Sequence, residues 1–398
     1  MRSRRSGTTP LSVVYASTTI VWTAYAMVAV ALPFRFEDLG LTVVQYGLAI
    51  AGLAFGMLLT ESVWGVLAFR LARVRLILLL ALAVSGVFLG LGFVTSFAGL
   101  ALLLGLLGAL LIFQVPLIRW MALTALGPGT GATGTGIYGL FSGAGLVLGT
   151  ALGPVLFVQV GFTSLAVLSA AVYLAGAALT MFLPWGKVAL PGPQAGFARH
   201  VREVFTRPFG LIVTLVVLTF IAKSLMLNFL QYYSVTLFQG TPSEAGFVIG
   251  AAQATSLLAG AGLGILIDRW GAGRSVPLGF VLLLVGTLGT LFAASFAEMV
   301  TATLVLAVGL GWLAATLLPL ALEPVPLRLQ GTAVGVFGSF EDLGLLVGPV
   351  LISAVYASYG ARSIFLLVGA AALLGAVLSG LVRSREASVR PVRPHAAG

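Results

Sequence analysis

The sequence predicts an all-α integral membrane protein in which twelve transmembrane helices form two pseudo-symmetric six-helix bundles. Three observations carry that expectation. The chain of 398 residues is 60% hydrophobic and 8% charged, with a mean hydropathy of +1.13, whereas about a quarter of a soluble domain is charged. Its apolar runs are long enough to cross a hydrocarbon core of about 30 Å, which takes roughly 20 helical residues. A motif also recurs half a chain apart: Gly264-Ile265-Leu266-Ile267-Asp268-Arg269-Trp270-Gly271-Ala272-Gly273-Arg274 has a worn copy at Gly65-Val66-Leu67-Ala68-Phe69-Arg70-Leu71-Ala72-Arg73-Val74-Arg75. Position 264 against 65, 269 against 70 and 274 against 75 all differ by 199.

Hydropathy divides the chain into spans at 11–32, 44–67, 75–94, 98–122, 134–158 and 163–184, then 210–237, 244–267, 275–294, 297–321, 332–355 and 361–382. The first span is too long for a signal-peptide core and has no small-residue cleavage site, so it is expected to be retained. Residues 1–184 and 210–382 are the expected bundles. Between them 185–209 is a polar linker holding Lys187, Arg199, His200, Arg202, Glu203 and Arg207 among four prolines, counting Pro184 at its edge, and 383–398 is a basic tail.

Of the 21 Lys and Arg residues, 17 fall on one side of this topology, against Arg35 and Arg362 on the other. Short cytoplasmic loops collect Lys and Arg, which places both termini and the linker in the cytoplasm and the chain in the plasma membrane, the inner membrane of a bacterium. The net charge of +10 is then mainly a topology signal that also suits an anionic lipid surface. It is spread over loops and has no domain to carry nucleic acid. With no cysteine there is no disulfide framework.

A second repeat is Gly149-x-x-x-Gly153-Pro154 against Gly344-x-x-x-Gly348-Pro349, aligned at an offset of 195 and read as a loop-deletion drift from 199. With Gly145, the first copy makes a smooth stripe along the fifth span, which Pro154 bends.

The pattern Gly-x-x-x-Asp-Arg-x-Gly-x-x-Arg between two apolar spans resembles the signature loop of the major facilitator superfamily, and span count, repeat and length extend the resemblance over the whole chain. It implies the major facilitator fold and a secondary active transporter working by alternating access, with a solute site where the halves meet. A monomer suffices, and the expected partners are a small solute, protons and the lipid bilayer. The glycine-proline stripe resembles an exporter motif in which a pliable fifth helix packs across the domain interface; ordinary close packing explains the glycines equally well. Gly65, Arg70, Gly264, Asp268, Arg269, Gly271 and Arg274, with Gly149, Gly153, Pro154, Gly348 and Pro349, are the expected gating residues. In the first copy Phe69 replaces the Asp and Ala72 the second Gly, so only Arg70 and the basic residues beyond it keep the pattern.

A charge inside a membrane span costs at least about 2.5 kcal/mol on the lenient scales, so it marks a partner or a task. Glu61, Glu341 and Asp342 are the candidate proton carriers, because adjacent desolvated carboxylates raise each other's proton affinity. The structural alternative is an ion pair with Lys223 or a helix cap. Lys223 stands near mid-membrane, beside Ser224, Asn228, Gln231 and Tyr232 at helical spacing. With Tyr15, Thr18, Trp22 and Tyr25 of the first span, Gln114 of the fourth, and Trp312 and Thr316 of the tenth, Lys223, Asn228, Gln231 and Tyr232 are the expected solute contacts; helix packing is the alternative for each taken singly.

Aromatic walls with carboxylates suit proton-coupled export of amphipathic or cationic compounds. Lys223 suits an organic anion or a lipid headgroup instead, and a non-transporting receptor on the same fold remains a third possibility. The exporter pattern of an Arg in mid fourth span followed by Gly is missing around Leu107-Gly108, and Arg119 lies too near the cytoplasmic end to replace it. Neither histidine lies in a span and no nucleophile, metal or phosphate-loop motif occurs, so neither an enzyme nor a cofactor is expected.

Overall fold

A transmembrane backbone has no water to bond to, so each span must satisfy its own amides as a helix. The computed structural model describes residues 11–71, 74–111, 131–182, 197–262, 270–326 and 329–388, and all regular structure among them is helical. The helices are α1 (Leu11–Asp38), α2 (Val43–Leu71), α3 (Val74–Phe93), α4 (Phe97–Leu111), α5 (Gly131–Ala178), α6 (Phe197–Val204), α7 (Arg207–Ser224), α8 (Leu230–Phe238), α9 (Pro242–Gly262), α10 (Ala272–Phe292), α11 (Phe296–Leu322), α12 (Gln330–Tyr359) and α13 (Ser363–Ser388). A π-helical turn, Leu225–Phe229, joins α7 and α8 into one span. Gly161 (φ 76°, ψ 167°) divides α5 into two arms. With those arms counted apart, the spans are the twelve expected from hydropathy. They form two six-helix halves, and an even number of spans returns the chain to the side of the bundle from which it started.

The duplication is legible in the turns. Thr42 and Gln45 cap α2 reciprocally: the Thr42 N–H donates to Gln45 Oε1 (2.8 Å) and the Gln45 N–H to Thr42 Oγ1 (3.3 Å). Thr241 and Glu244 do the same for α9 at 2.7 and 3.2 Å. These capping boxes are 199 residues apart, as are Ser96 and Ser295, whose hydroxyls accept from Gly99 and Glu298 at the starts of α4 and α11. Left-handed Gly40 (φ 67°) is matched by Gln239 (φ 52°), and Gly161 by Gly360 (φ 86°), again at 199.

That constant offset corrects the alignment at 195. A side chain on Gly145 would meet Trp22 Cβ, and one on Gly149 would meet Ala26 Cβ; one on Gly344 would meet Phe220 Cβ, and one on Gly348 would meet Ser224 Cβ. Gly145 is therefore the counterpart of Gly344 and Gly149 of Gly348, one helical turn from the pairing that matched the two prolines. Glycine and proline recur often enough in these helices for a wrong register to look repeated. On α1 and α7 the same contacts lie 198 apart, not 199. The π turn supplies the missing residue, with the Leu230 N–H reaching Leu225 O.

Within the halves α1 packs along α5, and α7 along α12; across them α2 packs on α12, and α9 on α5. Leu79, Phe93, Leu102, Val285, Leu366 and Val377 are exposed, forming an apolar outer surface suited to acyl chains. Helix extends beyond the expected spans at two places. α6 occupies part of the polar linker, followed by Phe205, whose ring packs 5.8 Å from that of Phe340 on α12. α13 continues into the expected basic tail.

Candidate functional site

A cavity of about 910 Å³ lies between the halves, walled by α1, α2, α5, α7, the π turn, α9, α11 and α12. Lys223, Asn228, Glu341 and Asp342 make one polar wall. The Lys223 ammonium lies 4.6 Å from the centre of the Phe220 ring, within the field of both carboxylates. Asp342 is buried and Glu341 half-buried. Asn228 is held by its amide, which donates to Ser224 O (3.2 Å) and Oγ (3.3 Å). An α-helix would set Lys223 and Asn228, five residues apart, at an angle of about 140°. The π turn brings them onto one wall, a use typical of such bulges.

The first half supplies Trp22 and Tyr25, packed edge to face at 5.7 Å, both on the cavity wall. Thr150, Gln253 and Ser256 add neutral polar groups from α5 and α9. Gln253 and Ser256 were missed because neutral polar contacts were sought only on the first, fourth, seventh and tenth spans; an amide in the apolar run of the eighth span was the available signal.

Six expected solute contacts do not line this cavity. Tyr15 stacks on Phe141 with centroids 4.4 Å apart, and Thr18 is buried, donating to Val14 O at 2.8 Å. Gln231 is fully buried and donates to Leu227 O (3.0 Å), while Tyr232 OH reaches across the halves to Pro33 O (3.0 Å). Both stand eight or nine residues beyond Lys223, about 12–14 Å along the helix and past the cavity, toward the end where the halves meet. On α11, Trp312 Nε1 donates to Ser275 O (2.9 Å) and Thr316 to Trp312 O (2.9 Å). The face of α11 on the cavity carries Gly311, Ala314 and Ala315 instead. Gln114 lies outside the described residues.

Among the gating candidates, Gly149 and Gly153 press on Thr23, Ala26 and Met27 of α1, inside their own half. The stripe is thus an intra-bundle seam rather than a cross-interface one, as small residues allow. Gly348 abuts Ile221 and Ser224 in the same way. The prolines face the interface: a side chain on Gly246 of α9 would strike Pro154, and one on Gly47 of α2 would lie 2.6 Å from Pro349 O. Gly271 (φ 86°) sits at the start of α10, a backbone region that favours glycine, and Arg274 is exposed. Gly264, Asp268 and Arg269 lie outside the described residues, as do the side chains at Glu61, Gly65 and Arg70 on the last turns of α2.

The end of the bundle away from the chain termini is closed. Besides the Tyr232–Pro33 hydrogen bond and the two glycine contacts, the Tyr46 ring packs edge-on against Phe36, Phe229 and Tyr232 at 5.2 to 5.6 Å.

A polar cavity between two repeated bundles of membrane-spanning helices defines a membrane transporter. Comparison with known proteins agrees: the model of the Major Facilitator Superfamily matches residues 14–239 and again 214–397. The chain belongs to that superfamily, as a multi-pass membrane transporter and not an enzyme. It is similar to the multidrug resistance protein MdtG of Serratia proteamaculans (strain 568), 29% identical over 385 residues covering 89% of each chain. The MdtG of Citrobacter koseri is 29% identical over 408 residues, covering 94% of this chain and 96% of that protein. Among solved structures, a bacterial homolog of the human lysosomal transporter Spinster, inward-facing and unoccupied, superposes with a TM-score of 0.80 at 15% identity, over 96% of this chain and 98% of that one. The nucleoside transporter NupG gives 0.78 at 11% identity, over 94% and 98%.

Proposed function

We propose that this transporter exports amphipathic or cationic compounds in exchange for protons, by rocking two bundles, 1–184 and 210–382, about the cavity. The observation that carries this reading is the meeting of Glu341, Asp342 and Lys223 with Trp22 and Tyr25 on one cavity. Two carboxylates against one ammonium favour a cation, and an aromatic edge-to-face pair offers it ring faces. A carboxylate that must lose its proton before a cation enters couples the two movements. The relatives named for multidrug resistance support the same solute class. With the far end closed and the basic loops cytoplasmic, the conformation corresponds to a cavity facing the cytoplasm, with both termini on that side. The chain would work as a monomer, with the linker 185–209 on the cytoplasmic side.

Lys223 on the same wall is the observation that favours a second reading, an organic anion or lipid headgroup as cargo. One experiment separates them. The protein is reconstituted in liposomes holding a pH-sensitive dye, and lipophilic cations are compared with organic anions. Proton flux driven by cations and lost in Glu341→Gln or Asp342→Asn is expected. Flux or counterflow with anions alone, lost in Lys223→Ala and retained in the carboxylate variants, overturns it.

A further inference from the structure

The cavity has a second polar anchor, on a helix that carries none of its charges. Gln253 stands on α9, lines the cavity and is only 8% exposed. Its Nε2 has no hydrogen-bond partner among the described residues. One turn earlier Gly250 faces Thr150, and one turn later Leu257 packs on Gly143. The Thr150 hydroxyl donates to Leu146 O (2.8 Å) in its own helix. Packing does not require a polar residue at this position. The first-half counterpart, 199 residues earlier, is Ala54, also on the cavity wall.

An amide buried without a partner is costly, and the cost is recovered when an acceptor arrives. Rotation about its last side-chain torsion lets the amide turn either its N–H or its carbonyl edge to the cavity. Resting on the reading of this cavity as the solute site, we propose that Gln253 is a solute-contacting residue that hydrogen-bonds an uncharged oxygen of the cargo, a ketone, ester or amide carbonyl set apart from its charged group. The preferred solute is then an amphipath with two polar points: an ionic group near Lys223, Glu341 and Asp342, and a neutral acceptor near α9.

The test uses matched ligands on the purified full-length protein in detergent, with affinities read by calorimetry. One pair is (4-acetylbenzyl)triphenylphosphonium and its 4-isopropylbenzyl analogue; the other is 4′-acetylbiphenyl-4-carboxylate and its 4′-isopropyl analogue. Wild type should prefer the acetyl cation roughly tenfold. Gln253→Leu, an apolar near-isostere, and Gln253→Ala, which copies Ala54, should both erase that preference. If the cations fail to bind but the carboxylates show a Gln253-dependent acetyl preference, the inference stands and the cationic reading falls. Cation binding without an acetyl preference, or with one that survives both variants, overturns the inference and leaves the cationic reading intact. Binding of neither pair removes both.

Discussion

The two halves of this transporter share a frame and differ in what they turn toward the cavity. Tyr25 corresponds to Lys223 at the offset of 198 that holds ahead of the π turn. At 199, Ser142 corresponds to Glu341, Gly143 to Asp342, Ala54 to Gln253 and Met57 to Ser256, and all ten residues line the cavity. The first half contributes an aromatic ring, a hydroxyl and small or apolar surface, while the second contributes a cation, two acids, an amide and a hydroxyl. Duplication has kept the positions and separated the chemistry. Binding of an apolar body and handling of charge can thus be altered separately, because they sit on different rigid units.

The strongest way to break this asymmetry is to give the second half the residues of the first. Glu341→Ser with Asp342→Gly should abolish solute-driven proton flux while the protein still folds, since these are the residues that the first half carries in the same frame. Persistent proton flux in that double variant would move coupling elsewhere, with Glu61 the next residue to test.

Next in size is the register itself. Deleting Met226 should convert the π turn to plain α-helix, rotating everything beyond it by about 100°. Asn228 would leave the cavity wall and Tyr232 would lose Pro33. Transport should fall to background and the far end should loosen, visible as faster labelling of a cysteine introduced beside Tyr46; the chain has no cysteine of its own. Unchanged transport would mean that the extra residue is incidental.

The glycine seams sharpen the comparison from another side. A Cβ on Gly149 would crowd the Thr23 carbonyl and sit 2.5 Å from Ala26 Cβ and 3.0 Å from Met27 N, within an unbroken helix. On Gly348 it would lie 2.9 Å from Ser224 Cβ, on the last residue before the π turn. Overpacking costs about 1–3 kcal/mol. Gly149→Ala should take the upper part of that range and Gly348→Ala the lower, because α7 can relax at its break. Equal losses of thermal stability would mean that the π turn gives no slack.

How far all this was legible follows from the physics of each signal. Span lengths are dictated by the thickness of the membrane and stand out in any apolar run, so all twelve helices could be read. The repeat could be read from the signature loop, where Arg70 and Arg75 stand 199 before Arg269 and Arg274 and arginine is rare enough to fix the offset. It was misread by one turn in the fifth and eleventh spans, where glycine is common. Which face of a span meets the cavity was only half readable. Trp22, Tyr25, Lys223 and Asn228 were found, while Trp312 and Thr316 turn to helix neighbours because a wall close to α9 needs the small Gly311 face. The capping boxes at Thr42 and Thr241 carried the offset of 199 in plain polar residues. The π turn had no such mark: one residue inserted into an apolar helix leaves no compositional trace, yet it moves every side chain after it.

The smallest effect concerns the closed end, where the halves still match. Pro33 and Tyr232 are 199 apart, so their hydrogen bond lies close to the pseudo-two-fold axis and directly joins the bundles. A single neutral hydrogen bond contributes about 0.5–1.5 kcal/mol, or roughly two- to tenfold in an equilibrium constant. Tyr232→Phe keeps the ring against Tyr46 and removes only the donor. It should shift the population toward the state open at the far end by that factor, read as spin-label distances between introduced cysteines at Gly40 and Gln239. No shift would mean that the aromatic and glycine contacts alone hold this end shut. A shift larger than tenfold would mean that Tyr46 and its neighbours open with the bond as one unit.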